Sequence, residues 1–278
     1  MSPGPTTPEA RPTTPEARPT TPEAMFRVTG FEHAGPDARI TMRTGDWLLD
    51  DAGVPCSGAL GVFLDDAVGH QVFTTRPDDA HASVTSELSI DVALPPPWTG
   101  PELVAQGWTT SSTGRGAFTQ CRVTDSDGAI VAVVSNWGRF VALPPGVPVW
   151  SPDPSTPEPD PALRVSQLLG SRPERTADGA VLRLTGGPEL ANPMGIVHGG
   201  IVACASERTA AATLDDPATW WAASIRVHYL RPTPLSPEVE LTASVVHRGR
   251  TVTVVRVVGG PLGGRPCTDA TITFRTRD

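Results

Sequence analysis

Two segments of the chain each begin with an apolar, helix-like run and continue as alternating apolar and polar positions. The runs are Ala59–Phe73 and Ile201–Leu214, and the second has small residues, good helix formers and no Pro or Gly, which predicts a buried helix. Helix followed by four long strands, twice, predicts an α+β fold with a strongly curved antiparallel sheet around each helix. The predicted strands are 81–94, 102–113, 116–124 and 129–141 in the first segment, and 220–230, 238–248, 251–258 and 266–276 in the second.

Two proline-rich stretches divide the chain. The sequence Thr-Thr-Pro-Glu-Ala-Arg-Pro occurs at 6–12 and again at 13–19, and its first five residues recur at 20–24, so residues 1–24 are predicted to be a disordered tail. Eight prolines between 144 and 161 predict a stiff, extended linker. The predicted domains are therefore 25–143 and 162–278, and a chain starting at Met25 is expected to keep its melting temperature.

Composition narrows the class of protein. The formal net charge of −8 argues against nucleic acid as a partner. The absence of an apolar run of about 20 residues, and of a signal-peptide core, predicts a cytoplasmic protein without a membrane span. The cysteines are far apart and form no C-x-x-C pair, so reduced thiols are expected, with neither a zinc site nor a disulfide framework. They are Cys56, Cys121, Cys204 and Cys267.

A glycine-containing loop runs directly into the second predicted helix. It reads Asn192-Pro-Met-Gly195-Ile-Val-His198-Gly199-Gly200. The paired glycines let the backbone turn sharply and approach a ligand, and the free N–H groups of a helix's first turn suit an oxyanion or phosphate. Farther along the same helix is a carboxylate, at position 207, which is costly in an apolar helix unless it has a partner or a role.

This pattern resembles the central loop and helix of hotdog-fold acyl-CoA thioesterases, including those of the phenylacetate-pathway type. The family usually has Asp at the last position, where this chain has Glu. The resemblance implies two hotdog domains in tandem, each a curved antiparallel sheet wrapped around a central helix. It also implies an acyl-CoA substrate and no cofactor beyond the coenzyme A of that substrate. The matching positions are Asn192, Gly195, His198, Gly199, Gly200 and Glu207.

When the two segments are aligned, the first has lost the loop's Asn and His but kept the helix carboxylate, Asp65. That residue opens Asp65-Asp66-Ala67-Val68-Gly69, which resembles the family's Asp-x-Ala-x-Gly. Ten residues before Pro95 is Thr85, where many family members have Ser or Thr, and the second segment has alanine there. The aligned pairs are Asp50 with Asn192, Gly53 with Gly195, Cys56-Ser57-Gly58 with His198-Gly199-Gly200, Asp65 with Glu207, and Thr85 with Ala222.

Family members build each site across a dimer interface, which implies that the two halves of a tandem chain share two composite sites. One site is complete and the other depleted, so one working site per chain is expected. The complete site contains Asn192, His198 and Gly199 of the second half with Asp65 and Thr85 of the first. The depleted site contains Asp50, Cys56 and Ser57 opposite Glu207 and Ala222.

The resemblance implies a role for each residue of the complete site. The Gly199 N–H would bind the oxyanion of a hydrolysed thioester. Asp65 would activate water or attack the carbonyl directly, and the sequence does not choose between these. Thr85 would hold the water or the carboxylate, and Asn192 would orient the thioester. His198 would contact the ligand or brace the loop. Glu207 is followed by Arg208, and an exposed ion pair between them is the expectation for the depleted site.

Two turns carry candidate coenzyme A contacts. Gly114-Arg115-Gly116 and Gly249-Arg250-Thr251 occupy equivalent places and resemble a Gly-Arg/Lys turn of the family. An arginine there would reach a coenzyme A phosphate, since its planar donors match phosphate oxygens, and a solvated hairpin arginine is the alternative.

The sequence also bears on three alternative functions. A catalytically idle hotdog that binds acyl-CoA or a protein partner is favoured by the degenerate first-half loop. A hotdog hydratase would place Asp and His together on the loop, which neither half reproduces well. A serine hydrolase needs a G-x-S-x-G pentapeptide, which the sequence lacks. A homo-oligomer of pseudo-dimeric chains is expected, and the acyl group is left open.

Overall fold

The computed structural model describes residues 21–34, 37–143 and 160–277. Within them the chain forms an antiparallel sheet of twelve strands and two central helices. The first half contains α1 (Pro22–Met25), β1 (Val28–Ala34), β2 (Asp37–Arg43), α2 (Gly61–Thr74), β3 (His81–Val92), β4 (Glu102–Thr113), β5 (Gly116–Thr124) and β6 (Ile130–Ala142). The second contains α3 (Val165–Leu168), β7 (Glu174–Thr176), β8 (Gly179–Leu184), α4 (Gly199–Ala211), β9 (Trp220–Tyr229), β10 (Val239–Arg248), β11 (Val252–Pro261) and β12 (Thr268–Thr276).

The two halves repeat one topology around a central strand pair. The strand order is β1-β2-β4-β5-β6-β3-β9-β12-β11-β10-β8-β7, which reads the same outward from either central strand. β3 and β9 pair antiparallel from Glu87↔His228 to Asp91↔Ser224. This arrangement confirms the predicted α+β fold with a curved sheet around a helix in each half.

The eight predicted strands are present, with ends within three residues of the prediction. The four outermost strands, β1, β2, β7 and β8, were not predicted. β7 has only three residues, all exposed, so it carries no alternation. Gly30 and the Gly-Pro at 35–36 interrupt the pattern of β1 and β2. No helix among the described residues is long and apolar enough to cross a membrane.

The end of the predicted disordered tail is helical. Residues 21–24 were assigned to a disordered tail, but Thr21 caps α1, its hydroxyl accepting from the Ala24 N–H at 3.3 Å. The assignment is wrong there because Phe26 is fully buried with its ring edge against Trp47, at 5.8 Å between centroids, and this contact anchors the helix. The rest of the predicted tail, and the predicted linker over 144–159, lie outside the described residues.

The two central helices touch backbone to backbone near their first turns. A Cβ on Gly200 would lie 2.4 Å from the carbonyl oxygen of Gly61, and a Cβ on Gly61 would lie 2.3 Å from the carbonyl oxygen of Gly200. Any side chain there would push α2 and α4 apart. Because Asp65 lies one turn beyond Gly61, the contact brings this carboxylate to the first turn of α4.

Candidate active site

Asp65 joins the two halves of the chain. It is 8% exposed, and its Oδ1 accepts a hydrogen bond from the Thr85 hydroxyl at 2.8 Å. Its Oδ2 accepts from the Gly200 N–H at 3.0 Å. The structure therefore brings the helix carboxylate and strand hydroxyl of the first half to the loop and helix start of the second, as the sequence predicted.

The paired glycines act differently from the prediction. Neither has a positive φ, so the sharp turn does not require them. Gly200 is required by its contact with α2. A Cβ on Gly199 would lie 2.6 Å from Asp65 Oδ2, so the carboxylate rests on the bare Cα of this residue. Across the described parts of the chain, no acceptor is bonded to the Gly199 N–H, which is the donor predicted to face an oxyanion.

His198 caps α4 and links it to α2. Its Nδ1 accepts from the Gly200 N–H at 3.0 Å, and its Nε2 lies 3.1 Å from Oδ1 of Asp66. The imidazole is 6% exposed. It therefore braces the loop, one of the two roles the sequence left open. Asp66 was not among the predicted site residues, since its only signal in the sequence is its position beside Asp65.

Acidic neighbours control the proton on His198. Burial lowers the pKa of the imidazole, but the hydrogen bond to Asp66 and the charges of Asp66, Asp65 and Glu23 outweigh it and raise the pKa to about 9. Burial raises the pKa of Asp66 to about 7, against the opposing effect of His198.

The raised pKa of His198 favours a proton on Nδ1, but the hydrogen bond from the Gly200 N–H requires that this atom be unprotonated. A pKa of about 9 favours a second proton on this atom at neutral pH, whereas the Gly200 N–H needs its lone pair. The Gly200 N–H donates to two acceptors, His198 Nδ1 and Asp65 Oδ2, so it keeps a partner when Nδ1 is protonated. When Nδ1 is protonated it faces Asp65 Oδ2, 3.5 Å away, and the N–H keeps the carboxylate alone.

Glu23, Asp66 and His198 each bring one possible ligand atom to within 4.8 Å of the others. His198 Nε2 and Asp66 Oδ1 already form a hydrogen bond at 3.1 Å. We therefore interpret this group, the Glu23–Asp66–His198 cluster, as a charge cluster and not as a metal centre. The expectation that no metal is used stays a prediction.

Tyr229, the chain's single tyrosine, also belongs to the site. Its hydroxyl donates to the carbonyl oxygen of Gly199 at 2.7 Å, and burial raises its pKa well above the usual value, so it stays protonated. The Gly199 carbonyl and the Gly200 N–H belong to one peptide group, which is thus held by Tyr229 on one side and Asp65 on the other. In the sequence, Tyr229 was visible only as an alternating strand residue.

Asn192 stays in its own loop. Its Oδ1 accepts from the Met194 N–H at 3.0 Å and the Ile196 N–H at 3.4 Å. Asp50 makes the same bonds in the first half, to the Ala52 N–H at 2.9 Å and the Val54 N–H at 2.8 Å. Within the described residues the Asn192 side chain contacts neither Asp65 nor Thr85. Its loop-closing role was not predicted.

The depleted site is closed by its own side chains. The Cys56 thiol donates to Glu207 Oε2 at 2.7 Å, and Arg208 pairs with Asp50 at 2.9 Å. Burial raises the pKa of Glu207, opposed by Arg208 and the thiol. The expected exposed pair between Glu207 and Arg208 is wrong, since they are 3% and 8% exposed and Arg208 turns to Asp50. The crossing of α2 and α4 buries the face of α4 that carries Glu207 and Arg208, and this burial cannot be predicted from the local sequence.

Matching bulges support the alignment of the two halves. β3 bulges between Thr85 and Glu87, and β9 bulges at the residue after Ala222, where its pairing with β12 shifts. Thr85 and Ala222 are therefore equivalent, as predicted. The same offset makes Val92 the counterpart of Tyr229, so the depleted site lacks both hydroxyls.

The two candidate coenzyme A arginines lie at different ends of the sheet. Arg115 is exposed in the β4–β5 turn. The next residue, Gly116, pairs across the sheet with Arg139, which in turn pairs with Val84, and these three residues form one cross-strand row. This row is next to Thr85. Arg250 is exposed in the β10–β11 turn, near the row that ends at Trp221, next to Ala222. Only Arg115 is on the side of the complete site.

Two surface depressions lie away from these residues. One is lined by residues around α3 and β8, and the other by the outer face of β2, β4 and β5. Neither contains a predicted site residue, so the case for a site rests on the polar contacts of Asp65 and not on a cavity.

Solved structures of other proteins share this architecture. The tesB protein of Mycobacterium avium subs paratuberculosis aligns with a TM-score of 0.60 at 12% identity, over 89% of this chain and 96% of that one. Acyl-CoA thioesterase II TesB2 of Mycobacterium marinum gives 0.60 at 12%, over 92% and 98%. The 12:0-ACP thioesterase of Umbellularia californica gives 0.60 at 14%, over 87% and 95%. The fold is therefore the double hotdog.

The sequence comparison concerns the second half. Residues 188–275 match the family model described as the acyl-CoA thioesterase N-terminal domain. This match includes the Asn192–Gly200 loop and α4, and it confirms the predicted resemblance to hotdog-fold acyl-CoA thioesterases. The comparison with curated protein sequences gives no match.

Proposed function

We propose that this protein is an acyl-CoA thioesterase that hydrolyses an acyl-CoA thioester to a free acid and coenzyme A at one composite site per chain. One observation carries the proposal. Asp65 is hydrogen-bonded to Thr85 and to the first turn of α4, whereas its counterpart Glu207 is bonded to a thiol in a closed pocket.

In the proposed reaction Asp65 acts as the base. Water bound to the Asp65 carboxylate, beside the Thr85 hydroxyl that orients this carboxylate, loses a proton to Asp65 and attacks the thioester carbonyl carbon. The carbonyl oxygen gains the negative charge, the tetrahedral intermediate collapses, and the carbon–sulfur bond breaks. Protonated Asp65 then returns the proton to the departing thiolate. Direct attack by Asp65, through an anhydride, uses the same groups.

The Gly199 N–H is the proposed oxyanion donor. It is the first N–H of α4, has no acceptor among the described residues, and belongs to a residue that packs on Asp65. The positive end of the helix dipole adds to its effect. Loss of one such donor typically lowers the rate by about 10²–10³-fold.

Exposure distinguishes the two composite sites. Thr85, Gly199 and Tyr229 are half-buried, so a ligand can reach them. Their counterparts are buried: Ala222 and Ser57 are each 1% exposed, and Val92 is 5% exposed. Substrate access therefore supports turnover at the Asp65 site alone.

Thiol release from short, medium, long and aromatic acyl-CoAs tests the proposal, with Asp65→Asn and Glu207→Gln as a matched pair. Asp65→Asn keeps the volume but removes the charge that activates water, so kcat falls by about 10²-fold or more with KM little changed. Glu207→Gln lowers kcat less than tenfold, through packing.

The reverse ranking would place catalysis at the other site, and equal losses would mean two working sites. A wild-type protein that binds acyl-CoA without turnover would support the alternative of a non-catalytic acyl-CoA-binding hotdog, which the degenerate first-half loop favours.

A further inference from the structure

The N-terminal segment 21–27 packs beside the proposed active site. Met25 and Phe26 are buried, and α1 contacts both α2 and the short helical turn at 188–190 that precedes the Asn192 loop. The segment thereby brings Glu23 to His198. Nothing in the Pro-Glu-Ala repeat distinguishes this glutamate from those at positions 9 and 16.

Glu23 is buried without a hydrogen bond. It is 7% exposed, and its Oε1 lies 3.9 Å from Nε2 of His198, the only partner recorded for this carboxylate in the described chain. A mostly buried carboxylate without a hydrogen bond is stabilised by an opposite charge that faces it. His198 is the titratable base in contact with it, so a protonated imidazole is the available compensation.

The acidic surroundings of His198 come from two elements. Asp65 and Asp66 face it from α2 at 3.5 and 3.1 Å, and Glu23 faces it from α1. Tyr229 approaches from β9, on the far side of Gly199, and stays uncharged. Three carboxylates therefore surround one imidazole.

Within residues 160–170, which the structure describes, the depleted site has no such arm. α3 precedes β7 as α1 precedes β1, but its sequence Val165–Leu168 contains no acidic residue. Cys56 replaces the histidine and Arg208 replaces Asp66 in the aligned positions. The acidic arm thus accompanies only the site that has the complete loop.

We infer that Glu23 is a positioning residue of the active site: its charge keeps His198 protonated, so that the imidazole and the Gly200 N–H both face Asp65. The inference rests on the proposed thioesterase function. When His198 loses the proton on Nδ1, that atom accepts a hydrogen bond from the Gly200 N–H. Asp65 then shares this N–H with His198 and is held less firmly. Glu23, together with Asp66 and Asp65, therefore raises the upper pH limit at which Asp65 is held in place.

The sign of the pH effect follows from the charges. The folded protein raises the pKa of His198 to about 9, so the protonated form is present through neutral pH and is lost as the pH rises through that value. The stability that protonated His198 contributes is fully present below its unfolded pKa of about 6.5, and it is lost as the pH rises through the folded pKa of about 9. Removing the charge of Glu23 lowers the folded pKa and moves this loss to lower pH.

Glu23→Gln keeps the volume and removes the charge. The pKa of His198, followed by NMR of its ring protons and assigned with His198→Asn, falls by about one unit or more. The alkaline limb of the kcat profile moves to lower pH by the same amount with KM unchanged. Glu23→Asp keeps a charge and retains more of the wild-type pKa. The control is Glu32→Gln, at a glutamate whose side chain is 75% exposed; it leaves the His198 pKa and the alkaline limb of the kcat profile unchanged.

Truncation separates the arm from the preceding repeats. A chain starting at Thr21 behaves as wild type, whereas one starting at Met25 reproduces the shift of Glu23→Gln. An unmoved His198 pKa in Glu23→Gln would overturn the role of Glu23, because packing alone would then explain its burial. One equivalent of Zn²⁺ bound by wild type but not by Glu23→Gln, in calorimetry, would overturn it in favour of a metal site. The NMR measurement needs no turnover, so an inactive wild type would overturn only the proposed function.

Discussion

At the scale of residues, the site is organised around the peptide group between Gly199 and Gly200. Its carbonyl accepts from Tyr229 at 2.7 Å and its N–H donates to Asp65 at 3.0 Å. Hydrogen bonds in series polarise one another in a buried setting, so the tyrosine strengthens the bond that holds Asp65, the proposed base. The unused N–H, that of Gly199, is one residue earlier.

Tyr229→Phe tests this arrangement. The substitution keeps the ring and removes one buried hydrogen bond, worth about 1 kcal/mol of unfolding free energy. We expect kcat to fall by about tenfold, since about 1.4 kcal/mol of lost orientation corresponds to that factor, with KM little changed. The control is Thr209→Val, which removes a hydroxyl-to-carbonyl bond of 2.7 Å within α4, away from Asp65. Equal effects of both variants on kcat would show that only helix stability matters.

At the scale of elements, two equivalent hairpins have different neighbours. The β4–β5 turn carries Arg115 on the side of Thr85, about 10 Å away across two strand spacings. The β10–β11 turn carries Arg250 on the side of Ala222. Because coenzyme A carries its phosphates far from the thioester, a contact at this distance from the base suits it.

Arg115→Ala and Arg250→Ala form a matched pair. We expect Arg115→Ala to raise KM for acyl-CoA several-fold with kcat little changed, because a phosphate contact far from the carbonyl contributes equally to ground and transition states. Arg250→Ala should leave both constants unchanged. A thioester of pantetheine, which lacks the nucleotide phosphates, should not distinguish Arg115→Ala from wild type. A KM effect that persists with pantetheine would exclude the phosphate contact.

At the scale of the whole molecule, the chain is a pseudo-dimer whose halves have diverged. The central strands β3 and β9 pair, and the helices α2 and α4 cross at Gly61 and Gly200. Each half separately would expose the edge of its central strand and the face of its helix. Exposed strand edges favour aggregation or pairing with another copy.

Residues 21–143 expressed alone are therefore expected to be insoluble or to dimerise, as judged by light scattering after size exclusion. The full chain is expected to stay in solution in the same measurement, because its second half covers both surfaces. A well-behaved monomer of the first half, with a cooperative melting transition, would contradict the pseudo-dimer. Association of full chains into a homo-oligomer stays a proposal, and the same measurement on the full chain tests it.

The sequence by itself determined the repeated helix-and-strand pattern, the glycine loop and the pairing of Asp65 and Thr85 with the opposite half. Hydrophobic period is a local property, so eight strands and two helices were predictable from it. The family pattern extended this to the site, since its spacing placed Asp65 opposite His198 and Gly199. The alignment of Thr85 with Ala222 followed from two prolines.

The tertiary structure alone decided which neighbours those residues have. Glu23 belongs to a repeat with no apolar signal, and only the docking of Phe26 against Trp47 brings it to His198. The burial of Arg208 on Asp50, 158 positions apart, depends on the crossing of the helices. Such contacts join residues whose local sequences are independent, so no periodicity encodes them. They are fixed when the two halves pack together.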